Sequence, residues 1–290
     1  INTFDYINNL SVLKVSCKTE LYRFIFAHLF YRKTIDLLFV FKGSALLVLI
    51  CFFLKIKTVS RINNSPEAYL YWGGFKSLIS FGLRRFVNPR VLLVFNSYRV
   101  QDYYIKIFPN LQSFYLPNVP PEFKNLITSR LKNKIFVASR FSWEKNFQES
   151  FSFANNFAPS SYSVEAFSSS SKVPKFVQNF SDLEINFNDV YVSLSHFEGM
   201  PNMAIEALMQ GASLILSINW AHSELYASLI KYNLEDRVLL VYRNDDPDNH
   251  FLIESFLSKS NSISKFSLEQ RLGRFRSDTG RNYQEVIESM

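Results

Sequence analysis

Cysteine is nearly absent from this chain of 290 residues, which has only Cys17 and Cys51. The two lie far apart in the sequence and match no metal-binding or redox spacing. We expect two reduced, buried thiols in a cytosolic protein, which excludes a disulfide-built secreted scaffold. The sequence also lacks the ordered charged, apolar and small-residue segments of a signal peptide. Because it begins with Ile1 rather than Met, we expect that an initial fragment is missing.

No apolar run is long enough to cross a membrane. The most apolar segment, residues 35–54, is interrupted at Lys42, Gly43 and Ser44, which leaves pieces of seven and ten residues. Each piece is shorter than the roughly 20 residues that a helix needs to span the hydrocarbon core. The pattern favours a buried strand followed by a buried helix.

The remaining composition is that of a globular protein with two cores. Hydrophobic residues make up 48% of the chain, and its length favours two domains. Residues 1–120 carry 15 Lys+Arg and 5 Asp+Glu, whereas residues 121–290 carry 17 and 20, so the halves have net charges of +10 and −3. The basic half either docks on an anionic surface or is a solvated face without a partner.

From Lys134 onward, short apolar runs alternate with segments of helical spacing. The runs lack polar alternation, which is typical of strands buried on both faces of a parallel sheet. The predicted strands of this half are at 135–138, 163–167, 190–195, 213–218 and 238–242, and the helices at 147–157, 202–210 and 223–232. Strand candidates of the first half are at 35–41, 56–60, 91–95 and 113–116.

Three prolines in the segment 117–123 predict a linker between the halves. The fold prediction is therefore α/β, with two Rossmann-like domains over residues 1–120 and 121–290 and with parallel sheets facing across a cleft. Ligands of such sheets bind outside the carboxyl ends of the strands, which in a two-domain arrangement places them in the cleft.

The segment SHFEGMPNMAIEALMQG, residues 195–211, carries two glutamates eight positions apart, Glu198 and Glu206. Glu198 follows a predicted strand, and Glu206 lies one turn into the next helix. Pro201 suits the first turn of that helix, and Gly211 suits the residue just after its end.

The start of this helix combines groups that suit a phosphorylated, polyhydroxylated ligand. Its N-terminus offers unpaired N–H groups and partial positive charge to an anion. Gly199 lets the backbone approach a ligand closely, and carboxylates accept hydrogen bonds from hydroxyls.

A second cluster, VASRFSWEKN at residues 137–146, also follows a predicted strand. Arg140 and Lys145 precede a helix whose start, Asn146 with Glu149, matches a capping box. Two cations at the carboxyl end of a strand suit a diphosphate, since Arg is a planar fork and Lys a compact charge. Each cluster alone is compatible with a solvated surface. Because both follow strands of the same predicted sheet, the two together favour a ligand-binding site.

Three segments resemble the retaining family 4 (group 1) glycosyltransferases, which have the GT-B fold. SHFEGMPNMAIEALMQGASLILS resembles the family signature of two glutamates separated by seven residues, FVASRFSWEKN its Arg/Lys motif, and FYLPNVPPEF its interdomain segment. The likeness covers about residues 91–290, and the end of the chain resembles the closing helix of the family.

The resemblance implies roles for both clusters in binding a sugar donor. Arg140 and Lys145 would hold its diphosphate, and Glu206 would hold the ribose hydroxyls. The hydroxyls of the transferred sugar would be faced by Glu198 and by the backbone that follows it, Gly199, Met200, Pro201 and Asn202. Catalysis by Arg140, Lys145 and Glu198 would be largely electrostatic, with retention of configuration and no obvious enzyme nucleophile.

The resemblance also implies partners. We expect a nucleotide-sugar donor, UDP-linked, with no cofactor and no metal, and a glycan or lipid-linked acceptor in the synthesis of O-antigen, lipopolysaccharide or capsule. A hexosyltransferase of this kind would be cytoplasmic and peripheral on the inner face of the cell membrane, an anionic surface, with no nucleic-acid partner. Alternative functions are a nucleotide-sugar epimerase of the same fold and a non-catalytic, glycosyltransferase-like binding subunit.

The sequence departs from the family in three respects. Its first half is short, and the N-terminal strand, the Gly-rich loop and the acceptor-side catalytic residues of the family have no match in it. FSSSSK, residues 167–172, replaces the usual G-x-G of the family, which alters the loop that recognises the base, and Ser213 replaces a proline. An Asp-x-Asp pattern lies within residues 245–248, where a solvated loop is favoured over a metal site. Incidental or packing roles are favoured for three further residues, His196, Trp143 and Trp220.

Overall fold

The computed structural model has an α/β fold. It describes residues 38–40, 58–62, 91–110, 112–122, 126, 133–170, 173–242 and 248–288. The chain divides into two compact units, Ile1–Pro117 with Asn282–Met290, and Asn118–Arg281. Every pairing between the described strands is parallel. None of the helices in these ranges combines the length and the apolar character that crossing a membrane requires.

The described part of the first unit is a four-stranded sheet, one complete helix and the end of the last helix of the chain, residues 282–288. The strands, in the spatial order β1-β2-β3-β4, are β1 (Leu38–Val40), β2 (Thr58–Ile62), β3 (Val91–Phe95) and β4 (Ser113–Tyr115). Helix α1 (Tyr98–Ile107) begins after Ser97, whose hydroxyl accepts the Val100 N–H at 3.3 Å. The four strand predictions of this half are confirmed. The helix predicted after the first of them lies outside the described residues.

The second unit has a six-stranded sheet in the order β10-β9-β8-β5-β6-β7. Its strands are β5 (Lys134–Ala138), β6 (Ser163–Ser168), β7 (Gln178–Asn179), β8 (Val190–Ser193), β9 (Ser213–Ser217) and β10 (Val238–Val241). Its helices are α2 (Phe147–Phe157), α3 (Asn202–Met209), α4 (Trp220–Ile230), α5 (Asp248–Asn261) and α6 (Lys265–Glu288), of which α6 continues beyond Arg281 into the first unit. The predicted elements are confirmed, except that α4 begins three residues early, because the side chain of Asn219 caps it.

Helices cover both faces of this sheet. On β5, Phe136 and Ala138 pack in one apolar cluster with α3 and α6, whereas Ile135 and Val137 pack in the opposite cluster with α2 and α5. All residues of β5, β8 and β9 are buried. This burial on both faces explains why their sequences show no polar alternation.

Ser213, which stands where the resembling family has a proline, uses two groups that proline lacks. Its backbone N–H donates to the carbonyl oxygen of Asp189 at 2.8 Å, and its hydroxyl lies 2.5 Å from that of Ser260. Ser213 therefore links the start of β9 to the residue just before β8 and to α5.

The stop after α3 requires glycine. Gly211 has φ +88°, and a Cβ atom there would lie 2.8 Å from Leu126 Cδ2. Because the backbone is left-handed and the space is filled, Gly211→Ala should lower the free energy of unfolding by about 1–3 kcal/mol. Gly273→Ala, in α6 with nothing within 4 Å, is the matched control and should be neutral or stabilising. Equal urea midpoints for the two variants would contradict this prediction.

Candidate active site

The order in which strands are added to the sheet of the second unit reverses at β5. The chain runs from β5 to β6 and β7 on one side, and then crosses to β8 on the other side. The loops after β5 and β8 therefore leave the same edge of the sheet next to each other, which is where ligands of doubly wound sheets bind. The Arg/Lys cluster lies in the first of these loops and Glu198 in the second.

A cavity of about 400 Å³ lies at this place, within the size range of small-molecule sites. It is lined by Ala138, Ser139, Arg140, Lys145, Ser169, Phe180, Tyr191, Glu198, Met200, Pro201, Asn202, Met203 and Ala204. Of the eight catalytic and donor-binding residues predicted from the sequence, six line this cavity. Gly199 and Glu206, which are also described, are not part of this lining.

The two clusters meet in an ion pair between Lys145 and Glu198. Lys145 Nζ is 2.5 Å from Glu198 Oε2, and the side chains are only 19% and 10% exposed. A charge-assisted hydrogen bond that is partly shielded from water is stronger than a surface ion pair. The Lys145 ammonium is thereby directed at the cavity and held beside a carboxylate.

Arg140 is held less firmly. Its Nη2 atom is 3.3 Å from Glu144 Oε1, and 64% of the Arg140 side chain is exposed against 14% for Glu144. Exposed ion pairs of this kind contribute little to stability. Arg140 can therefore turn towards a ligand at low cost, whereas Lys145 is already in place.

Backbone and ring contacts fix the two loops to each other. The carbonyl oxygen of Glu144 accepts the N–H of His196 at 2.9 Å and that of Phe197 at 3.4 Å. The rings of Trp143 and His196 stack with their centres 4.5 Å apart. These contacts come just before Lys145 and Glu198 along their loops, so they set the geometry of that ion pair.

The prediction of a capping box at the start of α2 is wrong. Asn146 adopts a left-handed conformation, φ 47°, and its side chain accepts no helix N–H. Its Nδ2 instead donates to Glu149 and, at 3.2 Å, to the carbonyl oxygen of Leu194. The residue therefore serves the contact between the loops rather than the helix start.

Helix α3 begins at the cavity, as predicted. Pro201 is buried and occupies the N-cap position, where its carbonyl accepts the Ile205 N–H at 3.1 Å. The amide of Asn118 donates to the side chain of Asn202. No acidic side chain lies in the first turn of α3, so no carboxylate of that turn offsets the partial positive charge of the helix N-terminus.

Glu206 is a half-buried carboxylate one turn into α3. Among the described residues, none donates a hydrogen bond to its side chain. Burial raises the pKa of Glu206 above its usual value. A carboxylate in this position would be stabilised by hydroxyl donors from a ligand.

Several residues at or beside the cavity were not singled out from the sequence, among them Tyr191, Asn118, Ser169 and Phe180. Tyr191, in β8, is buried; its hydroxyl donates to the Ala138 carbonyl oxygen at 3.4 Å, and burial followed by the charge of Glu198 raises its pKa. Asn118, Ser169 and Phe180 lie on loops or a short turn. The FSSSSK segment, which contains Ser169, and the FYLPNVPPEF segment, which contains Asn118, were noted in the sequence, but neither residue was predicted as part of the site.

The remaining sequence candidates have other placements. His196 and Trp143 stack on each other outside the cavity lining, and Trp143 is 52% exposed. Trp220 starts α4. Most of the Asp-x-Asp segment, and Ser171 and Lys172 of the FSSSSK segment, lie outside the described residues. No group of three or more metal-ligating side chains occurs in the described ranges.

Comparison by sequence finds no match among models of known protein families or among curated proteins. Comparison by structure finds several matches. An α,α-trehalose-phosphate synthase (UDP-forming) from Burkholderia xenovorans, in complex with glucose-6-phosphate, has a TM-score of 0.61 at 9% identity, over 91% of this chain and 74% of the synthase.

Two further solved structures are similar over nearly the whole chain. Sucrose-phosphate synthase from Thermosynechococcus elongatus has a TM-score of 0.61 at 14% identity, covering 96% of this chain and 82% of its own. WaaG, a glycosyltransferase involved in lipopolysaccharide biosynthesis, has a TM-score of 0.58 at 10% identity, covering 95% and 85%. The predicted α/β class is confirmed, and the chain has the GT-B fold of these glycosyltransferases.

Proposed function

We propose that this protein is a retaining glycosyltransferase of family 4 that moves a hexosyl group from a UDP-linked donor to a glycan or lipid-linked acceptor. One observation carries the proposal. Two cations, a carboxylate and the start of a helix surround one cavity, which lies where the strand order of the sheet reverses, between β5 and β8. That combination matches the diphosphate and the hydroxyl groups of a nucleotide sugar.

The chemistry follows from the charges around the cavity. Lys145, Arg140 and the N–H groups at the start of α3 stabilise the negative charge that develops on the departing nucleoside diphosphate. The acceptor oxygen bonds to the anomeric carbon on the face from which the diphosphate leaves, and its proton passes to the departing diphosphate oxygen as the bond from sugar to diphosphate breaks, so configuration is retained without a protein nucleophile. Glu198 accepts hydrogen bonds from the hydroxyls of the sugar, and Glu206 accepts them from the ribose.

The structural relatives support the finer assignment. The trehalose-phosphate synthase is UDP-forming, and WaaG acts in lipopolysaccharide biosynthesis. We therefore assign a uridine diphosphate donor and an acceptor of the cell envelope, such as O-antigen, lipopolysaccharide or capsule. Because protein cations meet the charge of the diphosphate, transfer proceeds without a metal ion, and EDTA should leave its rate unchanged.

Release of nucleoside diphosphate tests this function against its alternatives. UDP-hexoses are incubated with the protein, with and without a crude lipid-linked glycan fraction. Release that requires the glycan supports a transferase, conversion of the sugar without release supports an epimerase, and binding without either reaction supports a non-catalytic subunit. UDP at 100 times its Kd should stabilise the protein by about 2.7 kcal/mol. No thermal shift with UDP, GDP or ADP would overturn the proposal.

We also place the protein at the inner face of the membrane. Residues 1–120 carry 15 Lys+Arg against 5 Asp+Glu. Helix α1 in the same unit exposes Tyr98, Ile105 and Ile107 by 60%, 38% and 40%, next to the exposed basic residues Arg99 and Lys106. Apolar side chains beside cations are the combination that binds the surface of an anionic bilayer.

We expect binding to vesicles that contain phosphatidylglycerol, and weaker binding as salt rises, because exposed charges are screened within about 8 Å at physiological ionic strength. Replacing Ile105 and Ile107 with serine should weaken this binding. Replacing Ile230 and Phe266, which are exposed on the second unit, with serine is the matched control and should not. Flotation assays measure both, and equal binding to neutral and anionic vesicles would contradict the prediction.

A further inference from the structure

The loop after β5 places an acidic residue between its two cations. Glu144 lies in a single turn of 3-10 helix, Trp143–Lys145, and its Oε1 is 3.3 Å from Arg140 Nη2. Glu144 is the shielded partner of this pair, since its side chain is 14% exposed against 64% for Arg140. An anion that approaches Arg140 therefore meets a negative charge beside it.

The loop after β8 fixes the position of Glu144. The carbonyl oxygen of Glu144 accepts hydrogen bonds from the N–H groups of His196 and Phe197, and the neighbouring Trp143 ring stacks on that of His196. Because the backbone of Glu144 is held in this way, the longer and more exposed Arg140 side chain is the partner that can move. Arg140 can turn towards a ligand while the carboxylate of Glu144 stays.

The four charges at the two loops cancel. Arg140 and Lys145 are each paired with a carboxylate, Glu144 and Glu198 respectively. Glu198 has a use in the proposed reaction, because it faces the sugar hydroxyls, but Glu144 has none. A charge within a few ångströms changes the affinity for an anion severalfold even where water screens it.

We propose that Glu144 is a specificity-determining residue that weakens the binding of bare diphosphates at this site. The inference rests on the proposed function, since it assumes that diphosphate binds at Arg140. A nucleotide sugar offsets the repulsion through its sugar, which contacts Glu198 and the start of α3. Pyrophosphate lacks these contacts, and a nucleoside diphosphate loses them once the sugar has been transferred. The free terminal phosphate of the product also carries a negative charge that the sugar ester of the donor lacks, so the repulsion by Glu144 is larger for the product than for the donor and promotes product release.

Glu144→Gln tests this because it keeps the shape of the side chain and removes its charge. Titration calorimetry with pyrophosphate and with UDP should show affinities about 3- to 10-fold higher than for the native chain, with a larger gain at low salt. Damage to the fold would not raise affinity. Glu254→Gln removes the same charge from an exposed position on α5, which contributes no residue to the cavity lining, and should leave both affinities unchanged.

Arg140→Ala distinguishes the failure of this inference from that of the proposed function. This variant should bind both probes more weakly, and the gain from Glu144→Gln should shrink in the double variant, because the two side chains form one pair. If Arg140→Ala weakens binding but Glu144→Gln does not strengthen it, the donor site stands and the role of Glu144 is overturned. If neither variant changes the affinities, diphosphate does not bind here and both proposals fail.

Discussion

Lys145→Ala should lower the kcat/KM of sugar transfer by roughly 10- to 100-fold, because a charge-assisted hydrogen bond to the leaving diphosphate is worth about 1.5–3 kcal/mol. Arg140→Ala should also lower the kcat/KM, but by a smaller factor. The reason is exposure: the Lys145 side chain is 19% exposed and fixed by Glu198, whereas that of Arg140 is 64% exposed. Ordering the Arg140 side chain on a ligand costs free energy that Lys145 does not lose.

The double variant is the more informative measurement. If both cations act on one leaving group, as proposed, the loss in Arg140→Ala/Lys145→Ala should be smaller than the product of the single losses. Lys231→Ala removes an exposed cation that pairs with Asp278 on α6, outside the cavity lining, and should leave the rate unchanged. A fully multiplicative loss would mean that the two cations serve different groups, and the assignment of one diphosphate to both would be wrong.

The sequence predicted most of the second sheet because its strands are buried on both faces. An unbroken apolar run such as IFVA in β5 is typical of a strand buried on both faces of a parallel sheet, and Pro201 and Gly211 bound the helix between two such runs. The likeness to the GT-B glycosyltransferases rested on the same segments. In a parallel sheet, functional side chains follow the strands directly, which is why motif and strand end could be located together.

The contacts inside the site could not be predicted from the sequence, because they depend on the order of the strands in space. Lys145 and Glu198 are 53 positions apart and meet only because the chain crosses over to place β8 beside β5. The same crossover gives Asn146 a partner on Leu194, and this contact replaces the capping box that the local sequence favours. Phe180 lines the cavity from a single 3-10 turn, which has no periodic signal.

Glu198→Gln should reduce sugar transfer by roughly 10-fold or more without lowering the affinity for UDP. A carboxylate is a stronger acceptor of sugar hydroxyls than an amide, and this difference counts most in the transition state. The structure also indicates how the affinity for UDP should change. Glu198 Oε2 lies 2.5 Å from Lys145 Nζ and neutralises its charge, so removal of the Glu198 charge should leave the affinity for UDP unchanged or raise it. The expected result is a lower kcat with an unchanged or lower Kd for UDP.

Glu206→Gln should show the opposite pattern, with UDP affinity falling by roughly 10-fold because a charge-assisted bond to the ribose is lost. Loss of stability would not explain this. Burial raises the pKa of Glu206, so its ionised form destabilises the folded state at neutral pH, and this cost disappears as pH falls through the raised pKa. The Gln variant should therefore melt at the same or a higher temperature than the native chain at pH 7, with a smaller difference at pH 4. Calorimetric titration of UDP into both Glu variants decides the assignment: weaker binding in Glu198→Gln with native binding in Glu206→Gln would show that the two roles are exchanged.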